Sequence, residues 1–362
     1  MKIIAFYLPQ FHQIPENDSW WGEGFTEWNN VRKATPLFQG HYQPREPLND
    51  NYYNVLNPDI QKWQAEIAKK YGIYGFCYYH YWFNGKMLLE KPLEQILISG
   101  EPDFPFCLSW ANEPWTRCWD GGNNEVLMLQ NYKGKEDWEN HFQYLLKAFR
   151  DKRYITINDM PVFIIYRTYS IDNCDEMLEY WENRAKGCGL NGIYFIETLN
   201  TFQDIPYCIR SKGVIEFEPM YTISYDLSFY LRVKRKLKRT LNKLSRNKFF
   251  YINILDYDYI WFRILKRKHV IKNDKQVFLG AFADWDNSSR KGEKGVIFKG
   301  ACPDKFERYL KVQVKKSKEI YDNEFIFINA WNEWAEGAYL EQDKKYGYGY
   351  LKAIKNVIDS EK

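Results

Sequence analysis

The stretch Phe325–Gln342, FIFINAWNEWAEGAYLEQ, decides how the rest of the sequence is interpreted. Its first five residues, Phe325–Asn329, are apolar or aromatic and carry no charge, which predicts a buried strand. Asn332, Glu333 and Glu336 follow, interleaved with tryptophans. Because α/β enzymes place their sites at the C-terminal ends of parallel strands, this change of character predicts a functional site. The alternative is a solvated turn before the last helix, and the two tryptophans argue against it.

Glu333 and Glu336 are predicted to be the catalytic residues. A separation of three residues places both side chains on one face of a helical turn, with Cβ atoms roughly 5–6 Å apart. Crowding two carboxyls raises the pKa of one of them, so that one group stays protonated as an acid while the other is ionised.

Seven further apolar runs precede this stretch, and helical patterns separate them. Strict alternation of strands and helices predicts a parallel sheet that is buried on both faces. Eight units in 362 residues predict an α/β fold, a (β/α)8 TIM barrel forming a single domain over residues 1–362 with long βα loops. A doubly wound sheet is disfavoured because YLPQFH stands where GxGxxG would follow the first strand. The predicted strands are Lys2–Leu8, Ile73–Phe83, Pro105–Trp110, Val162–Tyr166, Gly192–Ile196, Val214–Phe217, Val277–Phe282 and Phe325–Asn329, and a short helix is expected over Phe202–Ser211.

Polar residues follow these strands rather than precede them, so a barrel would bring them to one rim. Taken singly, each is more often a structural hydrogen-bonding residue than a catalyst. Together with the neighbouring tryptophans they predict a carbohydrate-type cleft. The long connection after the first strand is also expected to contribute, because connections of this length are usually functional. The residues predicted to bind substrate are Tyr7, Glu27, Trp28, His80, Trp110, Asn112, Glu113, Arg167, Glu218, Trp285, Asp286, Trp331 and Asn332.

The composition favours a neutral polar ligand. Aromatic residues make up 19% of the chain, with 14 Trp and 29 Tyr. These side chains suit half-hydrated walls because each combines a flat apolar face with a polar tip, and sugar rings stack on such faces. Nucleic-acid bases stack as well, but a net charge of only +4 provides no electrostatic footprint for a polyanion, so no nucleic-acid partner is expected.

The cysteines and histidines predict neither a metal site nor a cofactor. The seven cysteines are odd in number and show no CxxC spacing, and Cys77 and Cys107 lie in apolar runs typical of buried free thiols. This pattern predicts a reducing compartment and no structural zinc. The first apolar run ends at Pro9, too early for a signal peptide, and no run of 18 apolar residues occurs. The predicted location is cytoplasmic.

A basic insert of about residues 222–275 separates the sixth and seventh predicted strands. Between Leu231 and Lys248 it carries nine basic residues and no acidic one. This pattern predicts a basic amphipathic helix that makes peripheral contact with an anionic membrane surface. An ordinary outer barrel helix with a solvated basic face is the alternative, which we favour slightly from the sequence alone. The apolar residues at helical spacing are Val233, Leu237, Leu241 and Leu244.

Long motifs connect the chain to a known family. They are AFYLPQFH at Ala5–His12, WWGEGFTEWNNVRKATPLFQGHYQP at Trp20–Pro44, YGFCYYHYWF at Tyr74–Phe83, SWANEPWTRCWDG at Ser109–Gly121, DWDNSSRKG at Asp284–Gly292 and INAWNEWAEGAYLEQD at Ile328–Asp343. With these motifs the chain resembles the WbsX-type glycosyltransferase family, which is related to glycoside hydrolase family 99, over nearly its whole length.

The resemblance implies a (β/α)8 barrel and, in the hydrolase relatives, retaining cleavage of α-mannosidic bonds. There the position matching Glu336 is the general acid/base, and the position matching Glu333 assists through the sugar 2-hydroxyl by way of a 1,2-anhydro sugar. Ala335 stands where hydrolase relatives tend to carry histidine. The resemblance also implies a role in bacterial O-antigen or capsule polysaccharide.

Three functions follow from the sequence. The first is a retaining, glycoside-hydrolase-like enzyme acting on bacterial surface polysaccharide through the glutamate pair. The second is a glycosyltransferase using an activated sugar donor, for which the DxD patterns at Asp256–Asp258 and Asp284–Asp286 are weak marks. The third is a non-catalytic glycan-binding protein, against which the intact glutamate pair argues.

Overall fold

Eight parallel strands close into a barrel, as the sequence predicts. In this computed structural model the described residues are 1–117, 125–132, 134–244, 252–268 and 275–361. Every strand pairs with its neighbours in chain order, and the first pairs with both the second and the last, which closes the sheet. We label these strands β1 Lys2–Tyr7, β2 Ile73–Phe83, β3 Phe106–Trp110, β4 Met160–Ile165, β5 Tyr194–Leu199, β6 Gly213–Glu216, β7 Gln276–Phe282 and β8 Phe325–Asn329.

The closing register is fixed at β1, where Ile3 lies opposite Ile326 of β8 and Ile73 of β2. Close approach of the strands requires glycine at two places. A Cβ atom on Gly280 of β7 would lie 1.8 Å from the carbonyl oxygen of Glu216, and one on Gly75 of β2 would lie 2.6 Å from that of Pro105. A side chain at either position would therefore push two barrel strands apart.

Helices cover the outside of the barrel and leave its C-terminal end to loops and short elements. The helices are α1 Pro15–Trp21, α2 Glu27–Arg32, α3 Pro58–Lys70, α4 Lys91–Ser99, α5 Gly134–Phe149, α6 Cys174–Gly187, α7 Met220–Tyr225, α8 Phe229–Leu244, α9 Tyr257–Lys266, α10 Ser288–Lys291, α11 Pro303–Tyr321 and α12 Gly349–Asp359. Short 3-10 turns occupy Leu48–Asp50, Thr168–Ser170, Gly292–Lys294 and Trp334–Glu336. Short strands occupy Lys86–Leu88, Trp115–Thr116, Val126–Met128, Thr156–Ile157, Asn253–Asp256, Val296–Lys299, Asn332–Glu333 and Ala338–Tyr339.

The helix predicted over Phe202–Ser211 is wrong, because this segment is an irregular loop. The buried carboxylate of Glu197 on β5 accepts hydrogen bonds from the backbone N–H groups of Tyr207 and Cys208 and from the hydroxyl of Ser211. In a helix these backbone N–H groups would point along the helix axis. Here they point to the Glu197 carboxylate instead, and the loop therefore wraps around the end of the strand.

The expectation of free cysteines is correct for one pair and wrong for another. Cys77 and Cys107 are buried free thiols on neighbouring strands, as predicted. Cys174, the first residue of α6, forms a disulfide with Cys208. Disulfides are typical of oxidising compartments, so the cysteine pattern does not support the reducing compartment that we expected. Cys118 lies outside the described residues.

The basic insert is helical over its described part. Helices α7 and α8 follow β6, and α9 precedes β7. The predicted amphipathic helix is present as α8, whereas Arg246 and Lys248 of the predicted stretch lie outside the described residues. Within the part of the chain that the structure describes, no helix combines the length and apolarity needed to cross a membrane.

Candidate active site

A cleft of about 410 Å³ opens at the C-terminal ends of the barrel strands. Five of the residues predicted from sequence lie on its wall: Glu113, Arg167, Trp285, Glu333 and Glu336. Aromatic side chains from several strand ends complete the wall, namely Tyr79, Tyr81, Tyr166, Phe202 and Phe217. A volume of this size with apolar faces and a few convergent polar groups is typical of a small-molecule or sugar site.

A single guanidinium joins three carboxyl groups at one side of this cleft. Arg290 donates from Nε to Glu27 at 2.7 Å, from Nη1 to Glu336 at 2.8 Å and from Nη2 to Glu333 at 3.2 Å. The arginine is buried, and it brings together the predicted catalytic pair and one predicted binding residue. Three carboxyls therefore share this one guanidinium.

Sequence reasoning missed Arg290, although the residue lies within the DWDNSSRKG motif. Helix α10 carries it, and two hydrogen bonds fix this helix against the turn that carries Glu336. The hydroxyl of Ser289 donates to the carbonyl of Ala335, and the N–H of Asp286 donates to the carbonyl of Glu336 at 2.7 Å. A buried cluster of glutamates needs a cation, and this need was the available signal for an arginine after the seventh strand.

The glutamate pair lies on a hairpin whose tip is a short helical turn, so the predicted helical turn is present but is of the 3-10 type. Asn332–Glu333 pairs antiparallel with Ala338–Tyr339, and the 3-10 turn Trp334–Glu336 joins them. Gly337 closes the turn at φ 63°, where a Cβ atom would lie 2.9 Å from the backbone nitrogen of Asp286. The hairpin therefore requires glycine there, and both glutamates are held close to Arg290.

Burial dominates the electrostatics of the cleft. Burial, opposed by Arg290 and reinforced by Glu336 and Glu27, raises the pKa of Glu333 to about 8. It also raises the pKa of Glu113 to about 7, against the opposing effect of Arg167, whose Nη1 lies 3.1 Å from the carboxylate. The raised pKa favours the protonated form of Glu333, whereas the family resemblance assigns the proton-donor role to Glu336.

Two predicted residues hold the backbone of the cleft instead of lining it. The amide of Asn112 accepts from the N–H of Arg167 at 2.8 Å and donates to its carbonyl at 2.9 Å. In the same way, Asn332 accepts from the N–H of Leu8 at 2.7 Å and donates to its carbonyl at 3.0 Å. Both amides therefore tie a strand-end loop to the neighbouring strand.

Asp286 is also a supporting residue. It accepts a hydrogen bond from Gln43 at 2.8 Å, and Nε2 of His41 lies 2.8 Å away. Burial alone would raise the pKa of Asp286, but His41, the nearby Arg45 and the side chain of Ser288 lower it to about 2. The carboxylate is ionised and fully engaged, as is typical of a structural group.

Six other predicted residues lie beneath the cleft or beside it. His80 is buried against His141 at 2.8 Å, and desolvation lowers its pKa to about 3, so it is neutral. Tyr7 donates to Gln64, and Glu218 pairs with Arg267. The structure does not bring these groups to the cleft wall, because their strands direct them into the packed interior. The three remaining residues, all buried tryptophans of the core, are Trp28, Trp110 and Trp331.

The two DxD patterns are engaged in protein contacts. Asp284 pairs with Arg45 at 2.8 Å, and Asp286 is bound as described above. Asp256 caps α9 by accepting from the N–H of Tyr259, and Asp258 pairs with Lys305 at 2.6 Å. Across the described ranges, no group of three or more His, Cys, Asp or Glu residues is arranged to hold a metal ion.

Comparison with known sequences identifies relatives. Residues 3–354 match the family model described as Glycosyltransferase WbsX. Two curated relatives, each an "Uncharacterized protein WxcX" from a strain of Xanthomonas campestris pv. campestris, are 34% identical over 358 residues. The match covers 98% of this chain and 49% of each relative, so the chain spans about half the length of the curated relatives it matches.

Comparison with solved structures identifies the same fold at low sequence identity. A glycoside hydrolase-like protein has a TM-score of 0.57 at 13% identity, covering 98% of this chain and 93% of its own. The glycoside hydrolase family 99 endo-α-mannosidase from Bacteroides thetaiotaomicron has a TM-score of 0.53 at 13% identity, covering 99% and 96%. These likenesses support the (β/α)8 barrel.

Proposed function

The chain belongs to the WbsX glycosyltransferase family, a family of carbohydrate-active enzymes, and from this membership we propose that it acts on a glycosidic bond of a bacterial surface polysaccharide such as an O-antigen or capsule. In this proposal Glu333 and Glu336 are the reacting carboxyls of a retaining mechanism. The observation that carries it is the guanidinium of Arg290, which bridges the two carboxyls beside an aromatic cleft of sugar size.

The reaction that we propose has two steps. In the first, Glu333 takes the proton of the sugar 2-hydroxyl, O2 attacks C1, and the bond from C1 to the leaving oxygen breaks as Glu336 protonates that oxygen. In the second, the oxygen of water or of an acceptor hydroxyl attacks C1 and gives its proton to Glu336, while the bond from C1 to O2 breaks and Glu333 returns a proton to O2. Both displacements occur at C1, so the anomeric configuration is retained.

The pKa values bear on these roles. A base with a pKa of about 8 is stronger than an ordinary carboxylate, but Glu333 must lose its proton before it can act. We therefore expect kcat/KM to rise with pH up to about 8. A kcat/KM that does not rise over this range would contradict our assignment of Glu333 as the base.

The cleft offers contacts suited to a neutral sugar. Trp285 and Tyr79 contribute aromatic rings to the wall, and the ion pair between Arg167 and Glu113 contributes hydrogen-bonding groups. A smaller recess of about 120 Å³, lined in part by Trp21, shares Thr116 and Arg290 with the cleft. We propose that this recess receives a second sugar unit of the substrate.

A glycosyltransferase reaction with an activated sugar donor is the second candidate, and the description of the family favours it. The two reactions differ in what attacks C1 and in the leaving group. Water and a glycan leaving group define the hydrolase, whereas a sugar hydroxyl and a nucleotide or lipid phosphate define the transferase. The same pair of carboxyls serves both.

The test is a paired incubation of the wild type and the Glu336→Gln variant. One arm holds α-mannan and O-antigen oligosaccharides, and the other holds a panel of nucleotide sugars with lipid-linked acceptors. We expect product in one arm and its loss in the variant. Glu66→Gln, which changes an exposed glutamate on α3, is the matched control and should retain wild-type turnover.

The outcomes separate the candidates. Release of reducing sugar identifies the hydrolase, and acceptor-dependent release of nucleotide identifies the transferase. Binding of oligosaccharide without turnover, unchanged in Glu336→Gln, would contradict both and indicate a non-catalytic glycan-binding protein. Turnover that survives Glu336→Gln would contradict the role of this residue.

A further inference from the structure

Helix α8 is oriented opposite to an ordinary amphipathic helix of a barrel. Its stripe of apolar residues at helical spacing faces solvent, although such a stripe normally faces the core. Leu237 is 59% exposed and Leu244 is 75% exposed. On the inner side, Leu231 packs against the core and the guanidinium of Arg235 donates to the carbonyl of Ile223 at 3.1 Å. The stripe consists of Tyr230, Val233, Leu237, Leu241 and Leu244.

The charge of α8 restricts what covers this stripe. The helix contains seven basic residues and no acidic one. Lys234 and Lys236 are exposed and lie beside the apolar stripe on opposite sides. A second copy of this chain docked stripe to stripe would bring two such helices together, and their like charges would repel. An anionic surface with an apolar layer beneath it can pair with the lysines and bury the leucines.

The attachment of α8 is fixed at its start. Asp226, in the connection from α7, pairs with Arg263 and with Arg267, whose Nη1 lies 3.1 Å from the carboxylate. The N–H of Ser228 donates a hydrogen bond to the hydroxyl oxygen of Tyr259 at 3.0 Å. Met220, the first residue of α7, lines the cleft. The helix therefore leaves the same end of the barrel as the site.

We propose that α8 is a membrane-docking helix that lies on an anionic bilayer, with its leucines in the acyl boundary and its lysines at the lipid headgroups. The cleft then opens close to the membrane surface. A deeper consequence rests on the proposed function: the glycan that the site receives is attached to a lipid. The binding step itself does not depend on that function.

The experiment is co-sedimentation of the full chain with vesicles of phosphatidylcholine alone or of phosphatidylcholine with phosphatidylglycerol. We expect binding to the anionic vesicles, at least tenfold weaker binding to the neutral ones, and weakening by salt. The double variant Leu237→Asp with Leu241→Asp should lose binding, and Lys234→Glu with Lys236→Glu should weaken it at least tenfold. Ile98→Asp on α4, where the isoleucine is 87% exposed, is the matched control and should bind as the wild type does.

Equal binding to neutral and anionic vesicles, or binding that survives the Leu237 and Leu241 changes, would overturn the proposal. So would a dimer in solution that these changes convert to a monomer, because a second copy would then cover the stripe. All changed residues are exposed, so melting temperatures close to that of the wild type are expected and separate lost binding from misfolding. Vesicle binding without turnover on any glycan would contradict the proposed function and leave the docking helix intact.

Discussion

Replacing Glu333 by glutamine should make the protein more stable than the wild type at neutral pH. Glutamine keeps the size of the side chain, and its amide oxygen can still accept the hydrogen bond that Arg290 donates at 3.2 Å. It cannot ionise. The change therefore isolates the effect of one titrating carboxyl that is buried among two others.

The magnitude follows from the pKa of Glu333, which folding raises from the ordinary 4.5 to about 8. Below pH 4.5 the carboxyl is neutral in both the folded and the unfolded chain, so it contributes nothing to the pH dependence. Above that, the unfolded chain loses its proton and the folded chain retains it, so the wild type loses stability until the pH passes 8. At 1.36 kcal/mol per pKa unit the loss is about 5 kcal/mol.

The assay is urea denaturation of both proteins at a series of pH values from 5 to 9, because it requires no substrate. The free energy of unfolding of Glu333→Gln, minus that of the wild type, should increase steadily up to pH 8 and then level off. Glu66→Gln, on the exposed face of α3, should show no such trend. A difference that is flat or that decreases with pH would refute the reasoning, because Glu333 would then be ionised in the folded protein.

Three further changes test other parts of the structure. Arg290→Gln leaves three carboxyls without their cation, so turnover should fall at least ~100-fold and unfolding free energy by about 3–5 kcal/mol; wild-type kinetics would contradict the shared guanidinium. Gly280→Ala places a Cβ atom 1.8 Å from a backbone oxygen and should lower the free energy of unfolding, measured by urea denaturation, by about 3 kcal/mol or more. Gly187→Ala, at a position with open space, should not lower it. Equal denaturation midpoints for the two variants would refute the close approach of the strands. Reducing the Cys174–Cys208 disulfide, whose sequence separation is 34, should lower stability by roughly 2–4 kcal/mol, and an unchanged melting temperature would exclude the bond.

The barrel was predictable from sequence because its strands are unbroken apolar runs. The predicted bounds of Ile73–Phe83 and Phe325–Asn329 match β2 and β8. The loop after β5 was not predictable, since its shape is set by hydrogen bonds to a strand carboxylate rather than by its own pattern. The disulfide that ends in this loop was missed for the same reason.

The candidate site was predictable in part. Position after a strand correctly indicated the end of the barrel, and Glu113, Glu333 and Glu336 do face the cleft. The position of a residue at a strand end could not indicate where its side chain points, because successive side chains of a strand point to opposite faces. His80 thus points into the helix layer, whereas its neighbours Tyr79 and Tyr81 line the cleft. The sequence pattern predicts which strand end or loop carries a residue, but what the side chain contacts depends on the local backbone conformation.

Two buried acids of the chain have opposite pKa shifts, and the difference bears on the role that we propose for Glu333. Asp286 receives hydrogen bonds from a glutamine side chain and a backbone N–H and lies beside a histidine, and its pKa falls to about 2. Burial raises the pKa of Glu333 to about 8, and the hydrogen bond that opposes this rise is long and comes from a guanidinium shared with two other carboxyls. One cation cannot neutralise three carboxylates in a site of low dielectric, so a proton remains near neutral pH. Among the described residues few groups donate to this cluster, and the hydroxyl groups of a bound sugar can donate further hydrogen bonds to it.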